Sequence, residues 1–342
     1  MSAGRPTAAI LLRTAAPSVL LVVVVLISLV IGKYSVSARD IAAVIGAKLT
    51  GLPSGLPATV ETVIWNVRLP RVASGLFVGA SLAAAGTVYQ GLFRNPLVSP
   101  DILGVSAGAS LGAVLGIFLS LPVLAIQGLA FAGGLAAVGL VYMVGAAVRG
   151  HDPILVLVLA GVAIGALLGA SISLLKVLAD PYNQLPAITF WLLGSLASVT
   201  RGDFVSVLPA MIVGLIPMVL LRWRVNLMTL DDQEARALGM ETARTRIILI
   251  AAATLMTAAA VSISGIIGWI GLLVPHVARV LVGPNFSKLL PASLLLGGGY
   301  LVAVDTLARS MAEIEVPLGI LTAAIGAPFF IWLLMTTRRG WQ

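Results

Sequence analysis

The chain has 342 residues, of which 59% are hydrophobic and only 10% are charged, and its net charge is +8. A soluble protein has about 25% charged residues, so the composition excludes an ordinary soluble domain and favours a protein solvated mainly by lipid. The cations lie singly between apolar runs, which argues against nucleic-acid binding, and the lack of cysteine excludes disulfides and thiolate metal sites.

Apolar runs bounded by charge, proline or glycine predict ten membrane spans, because each crossing needs about 20 residues. In chain order these runs cover residues 17–33, 72–92, 102–120, 122–147, 154–176, 204–221, 247–266, 268–283, 289–307 and 318–336. A shorter run at 186–199 is predicted to lie at one membrane surface. We therefore expect an all-α polytopic membrane protein in which residues 1–342 form a single domain.

The charges between the spans indicate the orientation of the chain. An even number of spans puts both termini on one side, and placing them in the cytosol assigns thirteen of the 21 lysines and arginines to the inside and eight to the outside. A faint similarity between "GLFRNP" (91–96) and "GLLVPH" (271–276) suggests a weak inverted internal repeat.

Several functional classes lack their motifs. Carboxylates lie near the ends of the apolar runs rather than in their middle, which disfavours an ion-coupled carrier. The sequence has no GxxxxGK[ST] phosphate loop, and two histidines without cysteine make neither a metal site nor a catalytic constellation. We expect a membrane protein that is not an enzyme, with no metal or cofactor of its own.

The longest charged stretch of the second half covers residues 226–246, on the predicted cytosolic side. Leucines recur there at roughly helical spacing, Asp231 followed by Glu234 resembles a helix start, and Gly239 provides a stop. A pair of short amphipathic helices is predicted, which would lie at the lipid headgroups or fit a groove on a soluble partner.

Six motifs together resemble one known family. They are "LPRVASGLFVGASLAAAGTVYQGLFRNPLVSPDILGVSAGA" (69–109), "WLLGSL" (191–196), "EARALG" (234–239), "GIIGWIGLLVPHVAR" (265–279), "LLPASLLLGG" (289–298) and "EVPLGILTAAIGAPFFIWLL" (315–334). In this order they resemble the FecCD or BtuC-like permeases of ATP-binding-cassette (ABC) importers for ferric siderophores, haem and vitamin B12. The resemblance implies a ten-span permease of the inner membrane that pairs with a second permease subunit. It also implies two cytosolic ATPase subunits, which bind ATP and magnesium, and an extracytoplasmic binding protein that delivers the cargo.

The resemblance also implies roles for particular residues. Three arginines are implied to dock the binding protein: Arg68, Arg71 and Arg309. The alternative is that their side chains snorkel to the lipid headgroups. Asn95 and Leu97 are implied to close the cytosolic mouth of the pathway, with a plain inter-helix turn as the alternative. His151 and Asp152 are implied to form a second, parallel constriction. The residues implied to contact the ATPase are Leu230, Asp231, Glu234, Ala235, Leu238 and Gly239. Asp231 replaces the family's usual glycine, which leaves the entry angle of this segment open.

The cargo is not marked in the sequence. Ferric siderophores or haem are the preferred expectation, with vitamin B12 or an oxyanion such as molybdate as alternatives. An ion-coupled carrier and a membrane scaffold or receptor subunit are more distant alternatives. The second permease subunit is expected to be an identical copy.

Overall fold

The computed structural model describes residues 6–148 and 153–336, and within these ranges the chain is all-helical, without strands. The α-helices in chain order are α1 (Pro6–Val30), α2 (Ala38–Thr50), α3 (Ala58–Thr62), α4 (Leu69–Leu92), α5 (Val105–Phe118), α6 (Val123–Ala147), α7 (Pro153–Leu178), α8 (Gln184–Leu193), α9 (Arg201–Leu220), α10 (Arg222–Leu227), α11 (Asp232–Ala237), α12 (Thr242–Ser264), α13 (Ile270–Val282), α14 (Phe286–Ser310) and α15 (Leu318–Thr336). A π-helical segment, Val63–Arg68, joins α3 to α4, and a 3-10 turn, Pro100–Leu103, precedes α5.

Each of the ten predicted spans coincides with an apolar helix, which confirms the all-α polytopic fold. Six of the described helices are long and apolar enough to cross a membrane: Ala58–Leu92, Val123–Ala147, Ile154–Leu178, Arg201–Leu220, Thr242–Ser264 and Phe286–Ser310. The other four predicted spans correspond to the shorter apolar helices Ala15–Val30, Val105–Phe118, Ile270–Val282 and Leu318–Leu333. The segment predicted to lie at a membrane surface contains the short helix Gln184–Leu193, and its position at that surface stays a prediction. We call the side of the bundle where α4 ends the cytosolic end, following the predicted orientation, and the opposite side the outer end.

Two features differ from the sequence-based expectation. Helix α2 was not predicted, because its charged residues interrupt the apolar pattern; it begins with a reciprocal capping box between Ser37 and Asp40 and ends at Gly51 in a left-handed conformation. Helix α13 has 13 residues and is therefore about 20 Å long, short of the roughly 30 Å hydrocarbon core. A non-helical stretch, residues 265–269, precedes it and buries Ile267.

The centre of the bundle is α4, which packs against α12, α13 and α14. The backbones touch at glycines: a Cβ on Gly86 would lie 1.9 Å from the carbonyl oxygen of Gly271 in α13, and a Cβ on Gly79 would lie 2.2 Å from that of Gly297 in α14. Glycine at these crossings allows the close approach that holds helices together in lipid. Less than a third of the residues in α6, α7 and α9 are buried, so these helices lie at the perimeter.

Candidate functional site

Arg71 of α4 is at the centre of a charged cluster at the outer end. Its guanidinium lies 2.8 Å from Asp305 Oδ1 in α14 and 2.8 Å from Glu315 Oε2 in the loop after α14. The hydrogen bonds to Glu315 are bidentate, with Nη1 donating to Oε1 and Nη2 to Oε2. These bonds hold the pKa of Glu315 below its ordinary value. Arg71 thereby joins α4, α14 and the α14–α15 loop.

Arg68 and Arg309 close the end of α1. The last carbonyls of a helix lack partners within the helix. Arg68 Nη1 donates to the carbonyl oxygens of Leu29 and, at 2.9 Å, of Val30. Arg309 Nη2 donates to the carbonyl oxygen of Ser28 and, at 2.8 Å, to its hydroxyl. Arg68, from the segment before α4, and Arg309, from α14, thus provide hydrogen-bond donors for carbonyl groups in the C-terminal turn of α1.

The three arginines predicted to dock a binding protein are therefore brought together, but inside the protein. Arg68, Arg71 and Arg309 are 4%, 7% and 6% exposed. Their guanidinium groups contact carbonyl, hydroxyl and carboxylate oxygens of this chain. Docking through them stays a prediction, whereas the structural role of the cluster is visible in these contacts.

The turn after α4 contains the first two predicted gate residues. Asn95 Oδ1 accepts a 2.9 Å hydrogen bond from the backbone N–H of Leu97, so the asparagine side chain stabilises its own turn. Leu97 is 39% exposed. His151 and Asp152, the other predicted gate residues, lie outside the described residues.

The predicted ATPase-contact residues lie on and around α11. Gly239 has φ of +80° and ends the helix in a Schellman arrangement, with Gly239 N–H bonded to Arg236 O at 2.9 Å and Met240 N–H to Ala235 O at 3.1 Å. Ala235 is buried, whereas Leu238 is 62% exposed. Leu230, Asp231 and Glu234 are also exposed. Ala235 packs α11 against the bundle, and Leu238, directly after the helix, presents an exposed apolar side chain at the cytosolic end.

Arg94 connects the turn to residues 226–246, which we call the coupling segment. Its Nε donates a 2.9 Å hydrogen bond to the carbonyl oxygen of Met228, and its Nη1 lies 3.7 Å from Asp231 Oδ1. Sequence reasoning did not assign Arg94 a role. Its left-handed backbone, with φ of +48°, is not readable from the sequence, since arginine seldom adopts it.

A cavity of about 450 Å³ with a mixed polar and apolar lining lies beside this turn, between α4, α10, α13 and the start of α14. Asn95 and Arg94 form part of its wall. Within the described residues, no group of three or more histidine, cysteine or acidic side chains could hold a metal ion.

Comparison with known proteins identifies the family. Residues 20–336 match the FecCD transport family. This chain belongs to the FecCD transport family. The resemblance found in its motifs is thus confirmed, and the FecCD chain is a multi-pass membrane protein of the permease type.

Relatives of this FecCD protein carry names for different cargoes. The cobalamin import system permease protein BtuC of Halobacterium salinarum is 41% identical over 354 residues, covering 94% of this chain and 95% of the relative. The molybdate import system permease protein MolB of Haemophilus influenzae is 39% identical, with the same coverage of both chains. A solved structure described as an inward-facing conformation of a metal-chelate type ABC transporter is 38% identical, with a TM-score of 0.85, and the match covers 94% of this chain and 98% of that chain.

Proposed function

We propose that this chain is the permease subunit of an ABC importer that moves a metal chelate, a ferric siderophore or haem, into the cytoplasm by alternating access. The observation that carries the proposal is the FecCD match across residues 20–336, together with the 38% identity to a metal-chelate type transporter. The energy would come from two ATPase subunits that bind ATP and magnesium, because this sequence lacks a phosphate loop.

The coupling segment supports contact with an ATPase. Leu230 and Leu238, which flank α11 on either side, are 36% and 62% exposed and place apolar side chains at the cytosolic end of the bundle. An apolar anchor on a short helix fits a groove on a soluble partner. Movement of this segment would reach the turn of Asn95 and Leu97 through Arg94, and the loop of His151 and Asp152 would form the parallel constriction.

The outer end is proposed to receive the binding protein. The cluster holds three arginines against two carboxylates, Asp305 and Glu315, so it carries one excess positive charge. The exposed cations Lys33, Arg39 and Lys48 lie at the same end together with the carboxylates Asp40, Glu61 and Glu313, so the excess there stays at one positive charge. Acidic side chains of a binding protein would be steered toward this surface, with Arg68, Arg71 and Arg309 as the predicted docking residues.

The exposed side of α7 supports pairing with a second, identical permease subunit. Val162, Leu167 and Leu174 are each at least 60% exposed on it. Apart from the neighbouring backbone of α7 itself, no described atom lies within 4 Å of the positions where Cβ atoms on Gly165 and Gly169 would stand. Small residues on an uncovered helix allow close approach of a second helix in lipid.

A cavity of about 390 Å³ at the outer end bears on the cargo. Its polar lining is neutral, from Gln127 and from serines of α12 and the segment after α8, beside the ring of Trp191. No described cation lines it, so it suits a bulky chelate better than a small oxyanion, which needs positive or N–H donors. Vitamin B12 and molybdate remain the alternative cargoes because two relatives are named for them.

The orientation of the chain has a direct test. We propose that it resides in the cytoplasmic (inner) membrane with both termini in the cytosol. Since the chain has no cysteine, single variants can be labelled in whole cells with an impermeant maleimide. Thr50→Cys in α2 should react in intact cells and Leu238→Cys only after permeabilisation. The reverse pattern would overturn this orientation.

The cargo is tested with the co-expressed system. The binding protein encoded with this permease is titrated with ferric siderophores, haem, cobalamin and molybdate, and each bound cargo is then offered to proteoliposomes. Uptake of an iron chelate supports the proposal. Uptake restricted to cobalamin or molybdate would assign the alternative cargo. Uptake driven by an ion gradient would indicate an ion-coupled carrier, and binding of partners without cargo flux would indicate a scaffold.

A further inference from the structure

The cytosolic cavity beside α4 has a positively charged lining. Arg94 and Arg279 supply the charge, and the imidazole of His276 and the amide side chains of Gln90 and Asn226 complete the polar part of its wall. None of the described residues that line it is acidic. Asp231 Oδ1 lies 3.7 Å from Arg94 Nη1, and the Asp231 side chain is largely exposed. The cavity therefore has room and charge for an anion.

Among the described residues, Arg279 has no acidic partner. Its Nη2 donates a 2.9 Å hydrogen bond to Gln90 Oε1, a neutral acceptor, and it forms no ion pair with a described carboxylate. Gln90 is buried and its amide is oriented by the carbonyl oxygens of Gly271 and Leu272, at 3.4 Å and 3.3 Å from its Nε2. A half-buried guanidinium is held in place here without a counter-charge, although partly buried charges are normally paired.

The sequence next to the cavity locates it at the level of the lipid headgroups. Helix α9 is long and apolar enough to span and ends at Leu220, and the next residues, Arg222, Trp223 and Arg224, are all exposed. Basic and tryptophan side chains directly after a span are typical of the membrane–water interface. The following residue, Val225, lines the cavity, which places the cavity at this depth.

We infer that this cavity binds the phosphate group of an anionic phospholipid headgroup. The planar guanidinium of Arg279 matches two phosphate oxygens, and basic pockets between spans on the cytosolic side favour anionic lipids. A volume of about 450 Å³ exceeds what a free phosphate needs, and the apolar wall of Val225, Phe286 and Leu289 can contact the glycerol and upper acyl carbons. The inference does not depend on the cargo or on transport.

The test measures lipid binding by the purified full chain in detergent. Phosphatidylglycerol, zwitterionic phosphatidylcholine and inorganic phosphate are titrated separately, with thermal stabilisation and native mass spectrometry as readouts. Phosphatidylglycerol should stabilise the protein more than phosphatidylcholine. Arg279→Gln should weaken its apparent affinity by about tenfold or more, because a charge-assisted contact is lost. Arg222→Gln removes the same charge at the same depth but outside the cavity, and should change the affinity little.

A second variant keeps the test decisive if Arg279→Gln does not fold. Gln90→Glu leaves Arg279 in place but offers it an internal carboxylate, so it should also reduce phosphatidylglycerol binding. Equal losses in Arg279→Gln and Arg222→Gln, or unchanged binding in Gln90→Glu, would overturn the site. Stabilisation by inorganic phosphate that depends on Arg279, without an effect of phosphatidylglycerol, would overturn the lipid assignment in favour of a soluble phosphate.

Discussion

Arg94 Nε donates a 2.9 Å hydrogen bond to the carbonyl oxygen of Met228, and this contact joins the turn after α4 to the coupling segment. The same guanidinium lies 3.7 Å from Asp231 Oδ1. Two segments 134 positions apart are thereby held together at the cytosolic end. If an ATPase moves the coupling segment, this contact offers a direct route to the turn that contains Asn95 and Leu97.

Replacing Arg94 should weaken coupling more than stability. Arg94→Ala removes a partly exposed contact worth about 1 kcal/mol, so the protein should still fold. We expect cargo uptake per ATP hydrolysed to fall several-fold in proteoliposomes, while ATP hydrolysis persists. Arg224→Ala, which removes an exposed arginine of α10, is the matched control. A ratio equal to that of the unmodified protein would exclude Arg94 from coupling.

Leu238 provides a test of the ATPase contact itself. Leu238→Asp places a charge on an exposed apolar side chain, which should weaken docking into an apolar groove without disturbing the core. Co-purification of the ATPase should decrease and uptake should be lost. Leu52→Asp makes the same change on an exposed leucine at the outer end and should leave both unaffected. Normal ATPase recovery with Leu238→Asp would show that α11 is not the contact.

The outer cluster should be important for stability. Arg71→Met leaves the buried carboxylate of Asp305 without its bidentate partner, and breaking a buried pair typically costs about 3–5 kcal/mol. We expect a marked drop in the melting temperature of the purified protein. Arg71→Met combined with Asp305→Leu should recover part of it, since both charges of the contact are removed, and the recovery should be incomplete because buried Arg309 lies 3.8 Å from Asp305 and also loses this carboxylate. Additive losses in the double variant would contradict the pairing, and Arg201→Met serves as an exposed-arginine control.

The same cluster predicts a pH dependence. The hydrogen bonds from Arg71 lower the pKa of Glu315 below its ordinary value of 4.5. A lowered pKa in the folded state stabilises the protein above pH 4.5, and this contribution is lost as the pH falls below that value. Glu315→Gln should therefore lower the melting temperature near neutral pH and flatten its decline in acid. A decline of unchanged steepness in the variant would assign the acid sensitivity to other groups.

The sequence predicts the spans and the coupling segment well, because both depend on local patterns of apolar residues, caps and glycines. The Schellman end at Gly239 and the helix before it are of this kind. The burial of Arg71 was not predictable in the same way, since Asp305 is 234 positions away and only the packing of α4 on α14 brings the two together. An arginine between two apolar runs has the sequence pattern of a residue anchored at the membrane surface. The local charge pattern does not distinguish it from an arginine whose side chain caps the carbonyl groups at the end of another helix.

The short α13 shows a second limit of pattern reading. Residues 268–283 are apolar enough to predict a span, but residues 265–269 are not helical, with left-handed φ at Gly265 and Trp269. Gly271, the second residue of α13, is in close contact with Gly86 of α4. This interruption of the helix depends on packing against the backbone of another helix. In the sequence, only the glycines indicate it.

The measurement that tests the account most directly is ATP-driven uptake by proteoliposomes that contain this chain and its co-expressed ATPase. Labelled cargo bound to the cognate binding protein is supplied outside and ATP inside, with and without a proton gradient. The account predicts uptake that requires ATP and the binding protein, persists when the proton gradient is collapsed, and stops with a hydrolysis-deficient ATPase. Uptake that follows the proton gradient and continues without ATP would contradict it.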